Sequence, residues 1–288
     1  MAITLDPELV TRLVREALAE DRAADDATTL ALVTPGQRGR GAIVARAPGV
    51  VAGLAFAQSA FRQIDADILW RSAAADGETV APGDTVAIVE GSLDGLLRAE
   101  RTALNFLTHL SGIATAAAAI VELLEGAGCR LRDTRKTIPG LRLAEKYAAQ
   151  TGGAESFRTD LADAVLIKDN HLAAVRGRGL GIPDAIRLAR EASPGLRIEV
   201  EVTSIEEARE AIGSGAGELL LDNMTPAVIR PIVKLAENHE PRPLLEASGG
   251  ISAANAGEFA ETGVDFISIG AITHSAAALD LSLDIETA

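Results

Sequence analysis

Downstream of residue 128 the hydrophobic pattern becomes regular. Short aliphatic runs recur at 129–133, 164–168, 198–202, 218–222, 243–247 and 264–269, each followed by loop residues and mostly by a stretch with helical spacing. Parallel strands need a crossover, usually a helix, so this rhythm predicts parallel βαβ units. Six such units predict a full or incomplete (β/α) barrel, with a doubly wound open sheet as the alternative. Three helix starts are marked. Ser204 with Glu207 forms a capping box, Thr225 precedes Pro226 at a first helical position, and Ser252 can cap the run after it.

The first hundred residues read differently. Leu9, Val10, Leu13, Val14 and Leu18 give helical spacing over 7–19, and an acidic, loop-like stretch through Asp25-Asp26 and Thr28-Thr29 follows. Residues 41–47 and 85–90 read as strands, with turns at Pro48-Gly49 and Pro82-Gly83. This is a mixed α/β segment. The apolar stretch from Glu100 to Leu124 is interrupted at Ser111-Gly112 and predicts two packed helices.

Composition narrows the function classes. The chain has 288 residues, enough for one barrel-sized domain or two smaller ones. Aromatics are only 3%, so the core is aliphatic and a base-stacking platform is not expected; the formal charge of −14 argues against nonspecific nucleic-acid binding. The single cysteine, Cys129, cannot form an internal disulfide and reads as a small buried hydrophobe. The N-terminal segment carries Asp6 and Glu8 without an apolar core, so no signal peptide is expected. No uninterrupted apolar stretch reaches membrane-span length, which leaves a cytoplasmic location as the expectation.

In a (β/α) barrel, function sits where strands end, because the βα loops converge there. The residues closing the runs are Arg135-Lys136, Lys168 to His171, Glu201, Asp222, Glu246 with Ser248-Gly249-Gly250, and Ser268 with Gly270. Three groups emerge. Residues 130–146 hold six basic side chains (Arg130, Arg132, Arg135, Lys136, Arg142, Lys146) against Asp133 and Glu145, with Arg158 and Lys168 on the next unit. A solvated basic face would look similar, but Arg135-Lys136 sits between two threonines ahead of Pro139-Gly140. Arg offers a planar fork for carboxylates and Lys a point charge for phosphates. Glu201 and Asp222 close buried runs, where a carboxylate must be paired or bound to a metal. With no His/Cys set nearby they suit Mg²⁺, or pairing with the barrel's own cations; Glu199, two residues earlier, competes with Glu201. Ser248-Gly249-Gly250 and Ser268-Ile269-Gly270 precede helices in the last two units, the usual barrel phosphate position. His171 and His274 fall on the same strand ends. His109, in an apolar helix, reads as a satisfied core residue. No Ser-His-Asp or Cys-His arrangement is present, and no GxGxxG opens a nucleotide fold.

Several stretches together resemble the quinolinate phosphoribosyltransferases, also called carboxylating nicotinate-nucleotide pyrophosphorylases. They are Glu20-Asp21…Asp26-Ala-Thr28-Thr29, Pro48 to Gly53, Glu100 to Leu107, Leu110 to Thr115, Asp133 to Gly140, Leu166 to His171, Glu199 to Val202, Leu221 to Asn223, Ser248 to Gly250 and Ser268 to Ala271. The resemblance implies an N-terminal α/β sandwich domain (1–108 with 276–288) and an incomplete (β/α) barrel (109–275). It implies transfer of phosphoribosyl from phosphoribosyl pyrophosphate to quinolinate with Mg²⁺ and decarboxylation, in NAD biosynthesis. It also implies a homodimer with Arg101 reaching the partner's site. By position, Arg101, Arg135, Arg158 and Lys168 would hold the pyridine dicarboxylate and Lys136 the pyrophosphate. Glu201 and Asp222 would serve metal and ribose, and Ser248, Gly249, Gly250 and Gly270 the 5′-phosphate. Lys136, Lys168, Glu201 and Asp222 form the expected catalytic set; Thr134, Phe157, His171, Ser268 and His274 are expected as further substrate contacts. One departure stands out: the family usually carries His immediately before the arginine at 158, and this chain has Phe157. That keeps open a paralogous phosphoribosyltransferase for another heteroaromatic acid.

Overall fold

The computed structural model describes residues 3–287. In chain order its strands are β1 (Arg38–Ala45), β2 (Gly49–Val50), β3 (Leu69–Ser72), β4 (Thr79–Val80), β5 (Thr85–Ser92), β6 (Arg130–Arg132), β7 (Val165–Ile167), β8 (Ile198–Val202), β9 (Glu218–Asp222), β10 (Leu244–Ser248), β11 (Phe266–Ser268) and β12 (Leu281–Thr287). The chain divides into two compact units. One holds the chain up to Ala118, residues 140–153, and the chain from Ser275 on; the other holds 119–139 and 154–274.

The first unit is built on an antiparallel sheet in the order β12-β1-β5-β3. The outward-inward alternation of β1 matches a sheet with one buried face. The C-terminal strand β12 pairs along β1 from Gly39↔Thr287 to Ala45↔Leu281. The helix Pro7–Glu20 starts where Asp6 accepts the Glu8 amide at 2.9 Å, and buries Val10, Leu13, Val14 and Leu18.

The two helices expected between Glu100 and Leu124 are one helix, Leu93–Leu123. Ser111-Gly112 does not break it. A Cβ on Gly112 would lie 2.1 Å from the Ala277 carbonyl oxygen, so the glycine admits a close backbone approach. Ser111 Oγ accepts the Ala52 amide at 3.0 Å. Uninterrupted, this helix is long and apolar enough by length and composition to cross a membrane, at a mean hydropathy of 1.5, and half of that window is buried inside the protein. Leu107, Leu110, Ile113 and Ala114 are among its buried residues, the pattern of a core helix. His109 Nε2 lies 2.9 Å from Oε1 of the buried Glu145, as a satisfied core histidine does.

The second unit carries a parallel sheet in the order β6-β11-β10-β9-β8-β7. Every predicted aliphatic run from 129 to 269 supplies one of its strands. From β7 to β11 spatial order follows chain order, and the first strand, β6, then lies beside the last. A doubly wound sheet would instead grow outward from a central switch point, so the order is that of a barrel. It is incomplete: β6 and β7 share no ladder, and beyond β6 a single bridge, Arg132↔Glu155, extends the edge. Ser204 caps the helix Ile205–Gly213 by accepting the Glu207 amide at 3.2 Å, but the capping box does not close, since the Glu207 carboxylate accepts the Thr203 amide at 2.9 Å instead of that of Ser204; Pro226 opens the helix Pro226–Glu237. Ser252 does not cap its helix. Its amide donates to Asn255 Oδ1 at 2.8 Å, and the helix begins later, at Ala256. Cys129 is buried, and burial pushes its thiol up to about 11.

Candidate active site

The C-terminal ends of the six parallel strands surround a cavity of about 490 Å³, within the range of small-ligand sites. It is lined by Thr134, Arg135 and Lys136 after β6, Phe157 and Arg158, Lys168 after β7, Glu201 of β8, Asp222 of β9, Ser248, Gly249 and Gly250 after β10, and Ser268, Gly270 and His274 after β11. Leu166, Leu220, Ile251 and Ile269 supply apolar wall.

The floor is ionic. Arg132, counted from the sequence among the rim cations, points into the barrel and is 2% exposed. Arg130, two residues earlier on the same face of β6, also stacks on Phe266 but lies exposed at the start of the strand. Arg132 Nη1 lies 2.5 Å from Glu246, 3.4 Å from Glu218 and 3.8 Å from Glu199, all buried. The guanidinium also stacks on the Phe266 ring, 3.6 Å from its centroid. One arginine faces three carboxylates. Burial, with Glu246 and Glu218 alongside, therefore pushes the Glu199 carboxyl well above the usual range, and burial also raises Glu218. Glu199 thus belongs to this floor.

The walls are cationic. Arg135, Lys136 and Arg158 make no ion pair among the described residues, in a chain of formal charge −14. Arg135 Nε is buried without a hydrogen-bond partner there. Burial and the neighbouring Arg135 lower the pKa of Arg158 from its usual value. Cations left unpaired beside one another need an anion between them. The loop bearing Lys136 is fixed at both ends: its amide donates to Thr134 Oγ1 at 3.0 Å, and its carbonyl accepts from Thr273 Oγ1 at 2.8 Å. The Lys136 side chain lies against Gly270, where a Cβ would sit 2.7 Å from Lys136 Cδ. Lys168 differs from the other three. Its Nζ is 2.9 Å from Glu201 Oε2, and Glu201 Oε1 accepts the Asp169 amide at 3.2 Å, so both oxygens of Glu201 are engaged.

The two glycine-rich loops present backbone to the same cavity. Gly249 (φ 93°) and Gly250 (φ 65°) adopt left-handed conformations, and a Cβ on Gly249 would lie 2.2 Å from Asn223 Oδ1. Asn223 also donates to Asp222 Oδ2 at 2.7 Å. Exposed amides at turns of this kind form anion cradles.

Two expected contacts lie elsewhere. His171 does not line the cavity; its Nδ1 accepts the Lys168 amide at 2.9 Å and closes the first turn of the helix Asp169–Arg176. Arg101 belongs to the first unit, exposed on the long helix beside Asp21, Asp25 and Arg98. The basic cluster at 130–146 also divides. Arg130 pairs with Glu155 at 2.7 Å, Arg132 is the floor, Arg135 and Lys136 face the cavity, and Arg142 and Lys146 belong to the first unit.

Comparison with known proteins bears directly on this arrangement. The N-terminal domain profile of the quinolinate phosphoribosyl transferases matches residues 26–111, and their C-terminal domain profile matches residues 113–284. The chain belongs to the quinolinate phosphoribosyl transferase family. Among its curated relatives in that family, a nicotinate-nucleotide pyrophosphorylase [carboxylating] of Mycobacterium leprae is 41% identical, covering 94% of this chain and 95% of the relative. The enzyme of that name from Homo sapiens is 40% identical, covering 99% and 94%. A solved nicotinate-nucleotide pyrophosphorylase from Francisella tularensis superposes with a TM-score of 0.93 at 37% identity, covering 99% of this chain and 98% of the other. The mixed α/β architecture, with a parallel barrel-like sheet and a separate antiparallel sheet, is thus the fold of quinolinate phosphoribosyl transferases.

Proposed function

We propose that the protein is a carboxylating nicotinate-nucleotide pyrophosphorylase of NAD biosynthesis. It joins quinolinate to the phosphoribosyl group of phosphoribosyl pyrophosphate and releases pyrophosphate and CO₂, leaving nicotinate mononucleotide. The observation that carries this reading is the set of unpaired cations, Arg135, Lys136 and Arg158, converging with two glycine-rich loops on one cavity in a chain of this family.

Arg135 and Arg158 present guanidinium forks to the two ring carboxylates, and the Lys168 ammonium, held by Glu201, adds a third positive group. Lys136, lining the same cavity, serves the pyrophosphate. The amides of Ser248 to Gly250 and Gly270, with Ser268, take the 5′-phosphate, and Thr134 and His274 complete the rim. As pyrophosphate leaves, positive charge grows on the ribose and negative charge on the leaving group. Lys136 meets the second, and the carboxylates of Glu201 and Asp222 face the first. Once the ring nitrogen is alkylated it becomes an electron sink, so the adjacent carboxylate is lost as CO₂ and the electron pair left on the ring carbon takes a proton from water, without a dedicated base.

The donors present fit Mg²⁺ in a restricted way. Asp222 offers a half-buried carboxylate, whereas both Glu201 oxygens are already engaged, and no group of three or more His, Cys, Asp or Glu ligands forms among the described residues. Mg²⁺ would therefore be held by Asp222 together with substrate phosphates, its usual mode, and would supply charge neutralisation at the leaving group. Arg101, exposed and without an ion pair among the described residues, supports a homodimer in which it serves a second copy's cavity.

A second reading has one observation in its favour. Phe157 puts an apolar ring where the family usually has a hydrogen-bonding imidazole, which would suit another heteroaromatic acid. Initial rates with quinolinate and with nicotinate, each with phosphoribosyl pyrophosphate and Mg²⁺, separate the two. Turnover of quinolinate alone supports the main reading; turnover of nicotinate alone replaces it.

A further inference from the structure

The ring of Phe157 is surrounded by positive charge. The guanidinium carbons of Arg197, Arg132 and Arg158 lie 4.8, 5.2 and 6.0 Å from its centroid, the last at the outer limit of cation–π contact. Two of these arginines are fixed from the far side by one carboxylate: Glu218 Oε2 is 3.4 Å from Arg132 and Glu218 Oε1 is 3.6 Å from Arg197. Arg197 also donates to the Phe157 carbonyl, so residue 157 is held through backbone and ring together. Phe157 is 8% exposed, with its remaining edge on the cavity.

Arg158 is the least anchored member. It makes no ion pair among the described residues, and its one side-chain hydrogen bond is from Nη1 to the Ala164 carbonyl at 3.3 Å. Arg135, a like charge, stands beside it across the cavity wall. A half-buried guanidinium repelled by its neighbour moves toward solvent unless something holds it. Glu199, Asp160 and Asp163 attract it without forming an ion pair, and its direct contacts are the Ala164 carbonyl and the Phe157 ring.

We infer that Phe157 is a positioning residue for the ring-carboxylate subsite: its aromatic face, clamped by Arg132 and Arg197 on Glu218, holds the Arg158 guanidinium in the cavity. The inference rests on the proposed function for the identity of the dicarboxylate, not for the geometry. An imidazole here would stand among three guanidiniums, which disfavour a proton on it. The subsite in this chain is therefore built from guanidinium forks and an apolar wall, without a titrating donor at 157.

The test is equilibrium binding of quinolinate to the full chain, by calorimetry, for the wild type, Phe157→Leu and Phe157→Tyr, with phosphoribosyl pyrophosphate titrated in parallel and thermal midpoints checked. Leucine keeps an apolar side chain and removes the aromatic face. Quinolinate affinity should fall roughly 2- to 30-fold in Phe157→Leu, and Phe157→Tyr should restore most of it. Phosphoribosyl pyrophosphate affinity should stay within about twofold, a selectivity that mere loosening of the fold would not give. Unchanged quinolinate affinity in Phe157→Leu, an equal loss for both ligands, or no recovery in Phe157→Tyr overturns the inference. A wild type that binds quinolinate without turning it over defeats the proposed function while leaving this inference to its own result. A wild type that does not bind quinolinate defeats both.

Discussion

Replacing Arg132 by Met tests whether the barrel floor depends on a single cation. The guanidinium serves Glu246 at 2.5 Å, Glu218 at 3.4 Å and Glu199 at 3.8 Å, and all four side chains are less than a tenth exposed. Methionine keeps much of the packing against Phe266 but leaves three carboxylates with Arg197 alone, 3.6 Å from Glu218 and half exposed. Removing one partner of a buried ionic group costs about 3–5 kcal/mol. For a domain of this size that is a fall in Tm of roughly 6–20 °C. The loss carries a pH signature. Glu199 and Glu218 have folded-state pKa values raised above their unfolded values, so the stability they contribute is full at acidic pH and fades as pH rises through the folded values. Without Arg132 their ionised forms lose the charge that opposed this shift. The penalty should therefore be smaller near pH 5 than near pH 8, because low pH favours the neutral forms of Glu199 and Glu218. Adding Glu246→Gln should recover part of it. The assay is urea unfolding followed by circular dichroism at the two pH values. A penalty below about 1 kcal/mol at pH 8, or one of equal size at both pH values, would refute the reasoning.

Two further substitutions probe the cavity itself. Arg135→Lys keeps the charge but loses the planar fork, so KM for quinolinate should rise about 10- to 100-fold in steady-state assays, with KM for phosphoribosyl pyrophosphate little changed; equal shifts in both would contradict the assignment. Gly249→Ala forces a Cβ at φ 93° to within 2.2 Å of Asn223 Oδ1, so KM for phosphoribosyl pyrophosphate should rise about tenfold or more while quinolinate binding holds. An unaltered KM for the phosphoribosyl donor would remove the phosphate role from this loop.

The sequence made the barrel legible because parallel strands buried on both faces leave aliphatic runs that crossover helices space evenly. It located most of the cavity for the same reason: residues closing those runs must converge. It misjudged what depends on partners distant in the chain. Ser111-Gly112 read as a helix break, since nothing local reveals that the glycine makes room for the Ala277 carbonyl. Arg132 read as one more rim cation, yet the three glutamates that draw it inward lie 67 to 114 residues downstream. Ser252 lost its capping role to Asn255 because the turn after Gly250 delays the helix. β12 was not read as a strand from its own pattern, because its partner β1 is distant in the chain; only the family resemblance placed 276–288 with the N-terminal domain. His171 shares a strand end with Lys168, but its ring turns back to the Lys168 amide, and spacing alone does not fix a side chain's direction.

The central claim is that the cations around this cavity hold a dicarboxylate while its ring nitrogen is alkylated and one carboxylate is lost. The most direct measurement follows labelled CO₂ and pyrophosphate from quinolinate carrying label in the carboxylate next to the ring nitrogen, with phosphoribosyl pyrophosphate and Mg²⁺. The account predicts equal amounts of the two products, each dependent on both substrates and both abolished together in Arg158→Met. Pyrophosphate released without CO₂, or neither product formed, would contradict it.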